Sequence, residues 1–290
     1  MDCHISFDIG ATTGLLSQLT GVLAGFSFTA VVISMSRALD GRSAGQTPAP
    51  DSVKESLDRA MPVMVCSFLA LVVTSVSYSA ISGDAANAGR AATEELVCTL
   101  AASVSTILMF YSIVLLLEVA EAWDAAGHGR RVLGQFVTLL SFGYICNGLS
   151  DYNDVRFRDG AQPPGWEMAL IYGSFCVYAL YAVAGYFLYH RLPRIGGRGV
   201  TRNRDGQITT PTGGSYTAPD HTRIVQRIAT GCLLTVIACA VGVGFYSAYG
   251  GNACGTPSPG VTMTIAGAGM AVTLASSVWL FLSRGPDPEG

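Results

Sequence analysis

The sequence predicts an all-α integral membrane protein, with seven transmembrane helices in one bundle, the N-terminus outside and the C-terminus cytoplasmic. Composition is the first reason: 50% of the 290 residues are hydrophobic and 13% charged, whereas soluble domains carry about 25% charged residues. The second is that the apolar residues come in runs of about 20, enough to cross a ~30 Å hydrocarbon core at 1.5 Å per residue. The third is the placement of the basic residues, which fall overwhelmingly on one side of those runs.

Seven runs qualify: 10–35, 61–82, 92–117, 132–149, 167–189, 228–249 and 260–283. Inside a bilayer only a helix satisfies its own backbone within one segment, so each run reads as a helix. The fourth is short and carries Gln135 and Asn147, and the positive-inside rule decides it. With seven spans, 14 of the 17 basic residues lie on inner segments and Arg90, Arg156 and Arg158 lie outside. Removing the fourth span inverts everything after it and leaves 8 inside against 9 outside. Residues 1–9 hold no base and two acids, Asp2 and Asp8, so the first run lacks the basic flank of a cleaved signal peptide and reads as a retained span. A single lysine, Lys54, against 16 arginines suggests a GC-rich coding sequence and hence the cytoplasmic membrane of a bacterium.

Between the runs, Ser52 and Glu55 have capping-box spacing. They predict a helix over 52–60 that continues across Pro62 into the second span. The third helix is expected to overshoot the bilayer to Asp124, ending where Gly127 and Gly129 break it. Residues 190–227 read as a basic cytoplasmic loop, largely flexible, because Gly, Thr, Pro and Arg dominate it without hydrophobic periodicity. Its arginines suit anionic headgroups. The chain is one transmembrane domain with no soluble module. The spans do not divide into matching halves as in many secondary transporters.

Several groups of residues could carry chemistry. Outside lie nine acids against three bases, among them Glu94, Glu95, Asp151 and Asp154, an acidic outer face that would concentrate cations or simply mark helix starts, where carboxylates suit the dipole. Glu118, Glu121 and Asp124, followed by His128, form an inner acidic cluster with helical spacing. Oxygen ligands at that density suit Mg²⁺ or Ca²⁺, and a salt bridge to Arg37, Arg59, Arg130 or Arg131 is the competing reading. No H-x-x-x-H, H-E-x-x-H or C-x-x-C occurs, so no zinc site is expected, and no other cofactor is implied. The seventh span contains no lysine, which excludes a retinal Schiff base there.

Through the middle of the spans there is no Asp, Glu, Lys, Arg or His. Proton pumps and ion-coupled carriers keep such residues at depth, so proton-coupled transport and acid–base catalysis are not expected. The spans hold small residues instead: Gly14, Gln18, Gly21 and Gly25 share a face of the first, Gly231, Thr235, Ala238 and Gly242 one of the sixth, and Gly267, Ala271 and Ala275 one of the seventh. Such stripes admit close helix neighbours. Gln18, Asn147 and the deeper tyrosines Tyr172, Tyr178 and Tyr181 are the ligand or pore candidates. Packed tyrosines bonded to carbonyls are the alternative. Cys3 and Cys254 lie in outer segments where a bridge is possible.

The sequence therefore reads as a non-enzymatic membrane component, sensor or partner-binding subunit, with a passive channel or facilitator for cations or small neutral solutes as the alternative. Its expected partners are the lipid bilayer and other membrane proteins or further copies of itself. Nothing suggests nucleic acid.

Overall fold

A computed structural model describes residues 9–43, 51–83, 88–120, 122–157, 165, 168, 172–173, 175–181, 183–184, 201–202, 208–209, 218–249 and 259–282. The apolar runs become helices: α1 Ile9–Ser43, α2 Asp51–Gly83, α3 Ala88–Val119, α4 Trp123–Val132, a π-helical turn Leu133–Val137, α5 Thr138–Arg156, α6 over residues 175–181, α7 Ala218–Tyr249 and α8 Pro259–Leu282. Among the described residues, five stretches are long and apolar enough to cross a membrane: Ile9–Ser36, Ala60–Gly83, Gly89–Val119, Ala125–Arg156 and Val225–Ala248. A shorter apolar stretch, Gly260–Ser276, lies in α8.

α3 is the hub. It packs against α2, α5, α7, α8 and α4, while α1 rests mainly on α2. The largest core cluster joins Val63 and Met64 of α2, Val104, Ile107, Leu108 and Tyr111 of α3, and Val225, Ala229 and Val236 of α7. The molecule is turned inside out relative to a soluble protein. Leu15, Val22 and Phe26 of α1 and Leu234, Val241 and Phe245 of α7 are exposed, while Thr74, Ser103, Ser105 and Ser141 are buried. An apolar exterior of this extent is unfavourable in water and suits lipid tails.

Hydroxyls join three of the helix pairs, α1–α2, α2–α3 and α3–α5. Ser17 Oγ donates to the Ser75 carbonyl at 3.0 Å and Ser75 Oγ returns a bond to the Ser17 carbonyl at 2.9 Å. Thr74 and Ser105 bond at 3.0 Å between α2 and α3. Ser103 Oγ reaches the Ser141 carbonyl at 2.8 Å between α3 and α5. Each hydroxyl satisfies itself against a carbonyl already in its helix ladder, so the polar atoms cost little in an apolar interior.

The small-residue stripes pack only in part. A Cβ on Gly14 would lie 3.5 Å from Ser82 Oγ and one on Gly21 3.3 Å from Ser75 Oγ, whereas Gly25, Gly231, Gly242 and Gly267 would meet nothing within 4 Å. The close approaches the sequence reading missed are Gly148, where a Cβ would sit 3.2 Å from the Leu96 Cα, and Gly269, against Leu100.

Three boundaries differ from expectation. α3 ends at Val119, the chain turns at Ala120, and Gly127 and Gly129 lie inside α4 rather than ending a helix. Gly129 is there for space: a Cβ would stand 3.1 Å from Val114 Cγ2. α5 continues to Arg156, so Asp151 and Asp154 are helical and not in a loop. Within the segment expected to be a flexible loop, Thr201–Arg202 pairs antiparallel with Ile208–Thr209, flanking the turn-favouring dipeptide Asp205–Gly206, and α7 already begins at Ala218.

A carboxyl cluster at one end of the bundle as the candidate functional site

The first turns of α3, the last of α5 and the last of α7 meet at one end of the bundle. Contacts between antiparallel neighbours bring them there: Gly148 of α5 lies against Leu96 and Thr99 of α3, and Ser247 of α7 lies against Glu94. On α3, Arg90, Glu94 and Glu95 follow at helical spacing within two turns, so Glu94 and Glu95 point to different neighbours, about 100° apart on a 3.6-residue helix.

Glu94 faces α7. It is 1% exposed, and its Oε1 accepts from Ser247 Oγ at 2.5 Å and lies 3.9 Å from Arg90 Nε. Arg90 in turn donates through Nη1 to the Ser247 carbonyl at 3.2 Å. The arrangement is a closed triangle in which one buried carboxylate is matched by one guanidinium and a hydroxyl, the pairing a buried charge requires.

Glu95 faces α5. It is 0% exposed, and no N–H or O–H donor reaches either of its oxygens. What they face is the carboxyl of Asp151, itself beside Asp154 and accepting from Asn147 Nδ2 at 3.0 Å. Tyr78 of α2 and Cys98 of α3, both fully buried, complete the surroundings, and the Tyr78 hydroxyl also lacks a partner. Two acceptor-only groups therefore face each other, Glu95 buried and Asp151 half-buried. No donor reaches the Glu95 side of the pair, and a proton on either carboxyl would supply one, because a neutral carboxyl carries an O–H.

Of the four acids expected on an outer face, Glu94 and Glu95 are interior, because α5 and α7 close over the start of α3. Only Asp154 of the four is exposed, with Asp151 half-buried. Asn147 is exposed and bonds within its own helix rather than to a neighbour. Gln18 is exposed on α1, across the bundle from the tyrosines.

Those tyrosines separate. Tyr172 is 64% exposed and Tyr181 half-buried, while Tyr178 is 3% exposed, stacks on Phe142 with ring centroids 4.2 Å apart, and donates to the Met270 carbonyl of α8 at 2.6 Å. Tyr178 therefore pins α6 to α5 and α8, and the three do not line a common cavity with Gln18.

At the opposite end, Glu118 is buried and forms its ion pair with Arg130 of α4. The turn at Ala120 puts Asp124 in a different helix from Glu118. Glu121 and the Asp124 side chain lie outside the described residues. Among the described residues no three His, Cys, Asp or Glu side chains converge as a metal site. His128 is exposed. Cys3 and Cys254 lie outside the described residues, and Cys66, Cys98, Cys146, Cys176, Cys232 and Cys239 are free thiols.

Sequence reasoning missed Ser247, Tyr78 and the hydroxyl pairs. Ser75 and Ser79 have the small-xxx-small spacing that marks a close helix contact, a signal present but outweighed by the glycines. No family model, no curated protein and no solved structure matches the chain. The chain is helical, with several helices long and apolar enough to span a membrane, as in a membrane protein.

Proposed function

We propose that the chain is a multi-pass protein of the cell membrane with seven spans, N-terminus outside, working without catalysis as a sensor or partner-binding subunit whose responsive element is the Glu95–Asp151 pair. The observation that carries the role is Glu95: a carboxyl of 0% exposure with no donor at either oxygen and a second carboxyl opposite. Such a site costs stability, and a role as a switch is a reason for a chain to keep it. It links α3, the hub, to α5, so a change in its proton occupancy is felt where most helix contacts converge.

Parity supports the seventh span. α5 and α7 both run toward the carboxyl cluster, since Gly148 meets Leu96 and Ser247 meets Glu94, and two helices ending on the same side require an intervening crossing. α6, anchored by Tyr178, supplies it. The channel reading has less support, because Glu94 and Glu95 are closed over and offer no mouth to cations.

The test is thermal unfolding of the purified protein in lipid nanodiscs across a pH series. With the pair holding a proton that the unfolded chain, its carboxyls in water, has released, the native state binds more protons. Stability therefore falls as pH rises, by up to about 1.4 kcal/mol per pH unit for one proton. Glu95→Gln carries its own donor and is expected to flatten that slope. Equal slopes in wild type and Glu95→Gln refute the responsive pair.

A further inference from the structure

We propose that the start of α7 binds the headgroup of an anionic phospholipid, with the acyl chains running along the exposed apolar face that follows. The site is a shallow, open groove of about 410 Å³ along one helix, lined by Arg223, Gln226, Arg227, Thr230, Gly231 and Leu234. These positions recur at intervals of three and four, so they form one continuous face of the helix. Their chemistry is graded along it. Two arginines come first, a threonine hydroxyl one turn deeper, then a glycine that opens space and a leucine.

The boundary between headgroup and hydrocarbon falls within this gradient. The apolar stretch of α7 begins at Val225, so Arg223 lies just before it and Arg227 within its first turn, from where a long side chain reaches back to the phosphates. Leu234, Val241 and Phe245, continuing the same side of the helix, are exposed and available to acyl chains. Both arginine side chains are exposed, and among the described residues neither has an ion-pair partner, the nearby Asp58 included. Gln226 holds the rim in place: its Nε2 donates to the Asp58 carbonyl of α2 at 3.4 Å. A guanidinium presents its donors in a fork that fits a phosphate bidentately, so two of them one turn apart, above an apolar wall, match a monoanionic phosphodiester carrying acyl chains better than a soluble anion.

The inference rests on the reading that α7 crosses a bilayer, and the experiment separates the two. Full-length protein is exchanged into nanodiscs of mixed phosphatidylglycerol and phosphatidylcholine, and the lipids retained are counted by native mass spectrometry. Wild type is expected to retain phosphatidylglycerol preferentially. Arg227→Gln is expected to lower the preference about fivefold and the Arg223→Gln/Arg227→Gln pair by up to about thirtyfold, the change that ~1 kcal/mol per arginine represents. The double lysine variant keeps most of it. Both side chains being exposed, the melting midpoint of each variant in phosphatidylcholine nanodiscs without anionic lipid should match wild type, which separates lost binding from lost folding. Unchanged phosphatidylglycerol retention in the glutamine variants, or no preference over phosphatidylcholine in wild type, overturns the site. Displacement of the lipid by millimolar inorganic phosphate would overturn the lipid assignment in favour of a free anion. Release of wild-type protein from membranes by alkaline carbonate would instead overturn the membrane reading itself.

Discussion

Replacing Gly148 by alanine tests the α3–α5 contact that shapes the carboxyl cluster. The added Cβ would lie 3.0 Å from both Thr99 Cγ2 and Thr99 Oγ1, and 3.2 Å from the Leu96 Cα. The threonine can rotate, although its Oγ1 would then lose its 2.7 Å bond to the Leu96 carbonyl. The Leu96 Cα is backbone and moves only if the two helices separate. Overpacking of this kind costs about 1–3 kcal/mol, against the up to about 1 kcal/mol that alanine gains over glycine in a helix interior. Gly143, in the same helix, would meet nothing within 4 Å, so Gly143→Ala takes the same helix gain without the collision. The difference between the two variants is therefore the collision alone, about 1–3 kcal/mol, equivalent to about 2–4 °C of melting temperature per kcal/mol. Thermal unfolding of both in the same detergent is the assay. Equal midpoints, or a Gly148→Ala midpoint above that of Gly143→Ala, would refute the close approach and with it the sealing of Glu95.

Arg130→Gln leaves the buried Glu118 without its partner and should cost about 3 kcal/mol; adding Glu118→Gln should recover most of it, as read by melting midpoints. Gly21→Leu should destabilise far more than Gly25→Leu, because only position 21 faces a neighbour, Ser75, at 3.3 Å; equal losses would remove the α1–α2 contact from the account. A cysteine introduced at Gly160 should react with an impermeant maleimide in intact cells and one at Gly206 should not; labelling at 206 would overturn the orientation.

Hydropathy and charge distribution alone determined that this chain is a bundle of apolar helices and where most of them lie, because a bilayer imposes one requirement, about 20 residues with internally satisfied backbones, and that requirement is local. α2 running through Pro62 from before Ser52 was equally legible, since caps and prolines act within a turn or two. The faces of the helices were not. In lipid both sides of a helix are apolar, so periodicity does not separate core from exterior, and Gly25 of α1, Gly242 of α7 and Gly267 of α8 looked as eligible as Gly148 of α5 and Gly269 of α8, which pack. The same ambiguity hid the carboxyls. Glu94 and Glu95, adjacent in sequence at a helix start, looked like surface charge, and only the arrival of α7 with Ser247 and α5 with Asp151, 153 residues away in one case, turned them inward. Burial is decided by what comes from elsewhere in the chain. That is why composition sufficed for the membrane, and why tertiary packing alone made one glutamate a satisfied ion pair and its neighbour an acid in want of a proton.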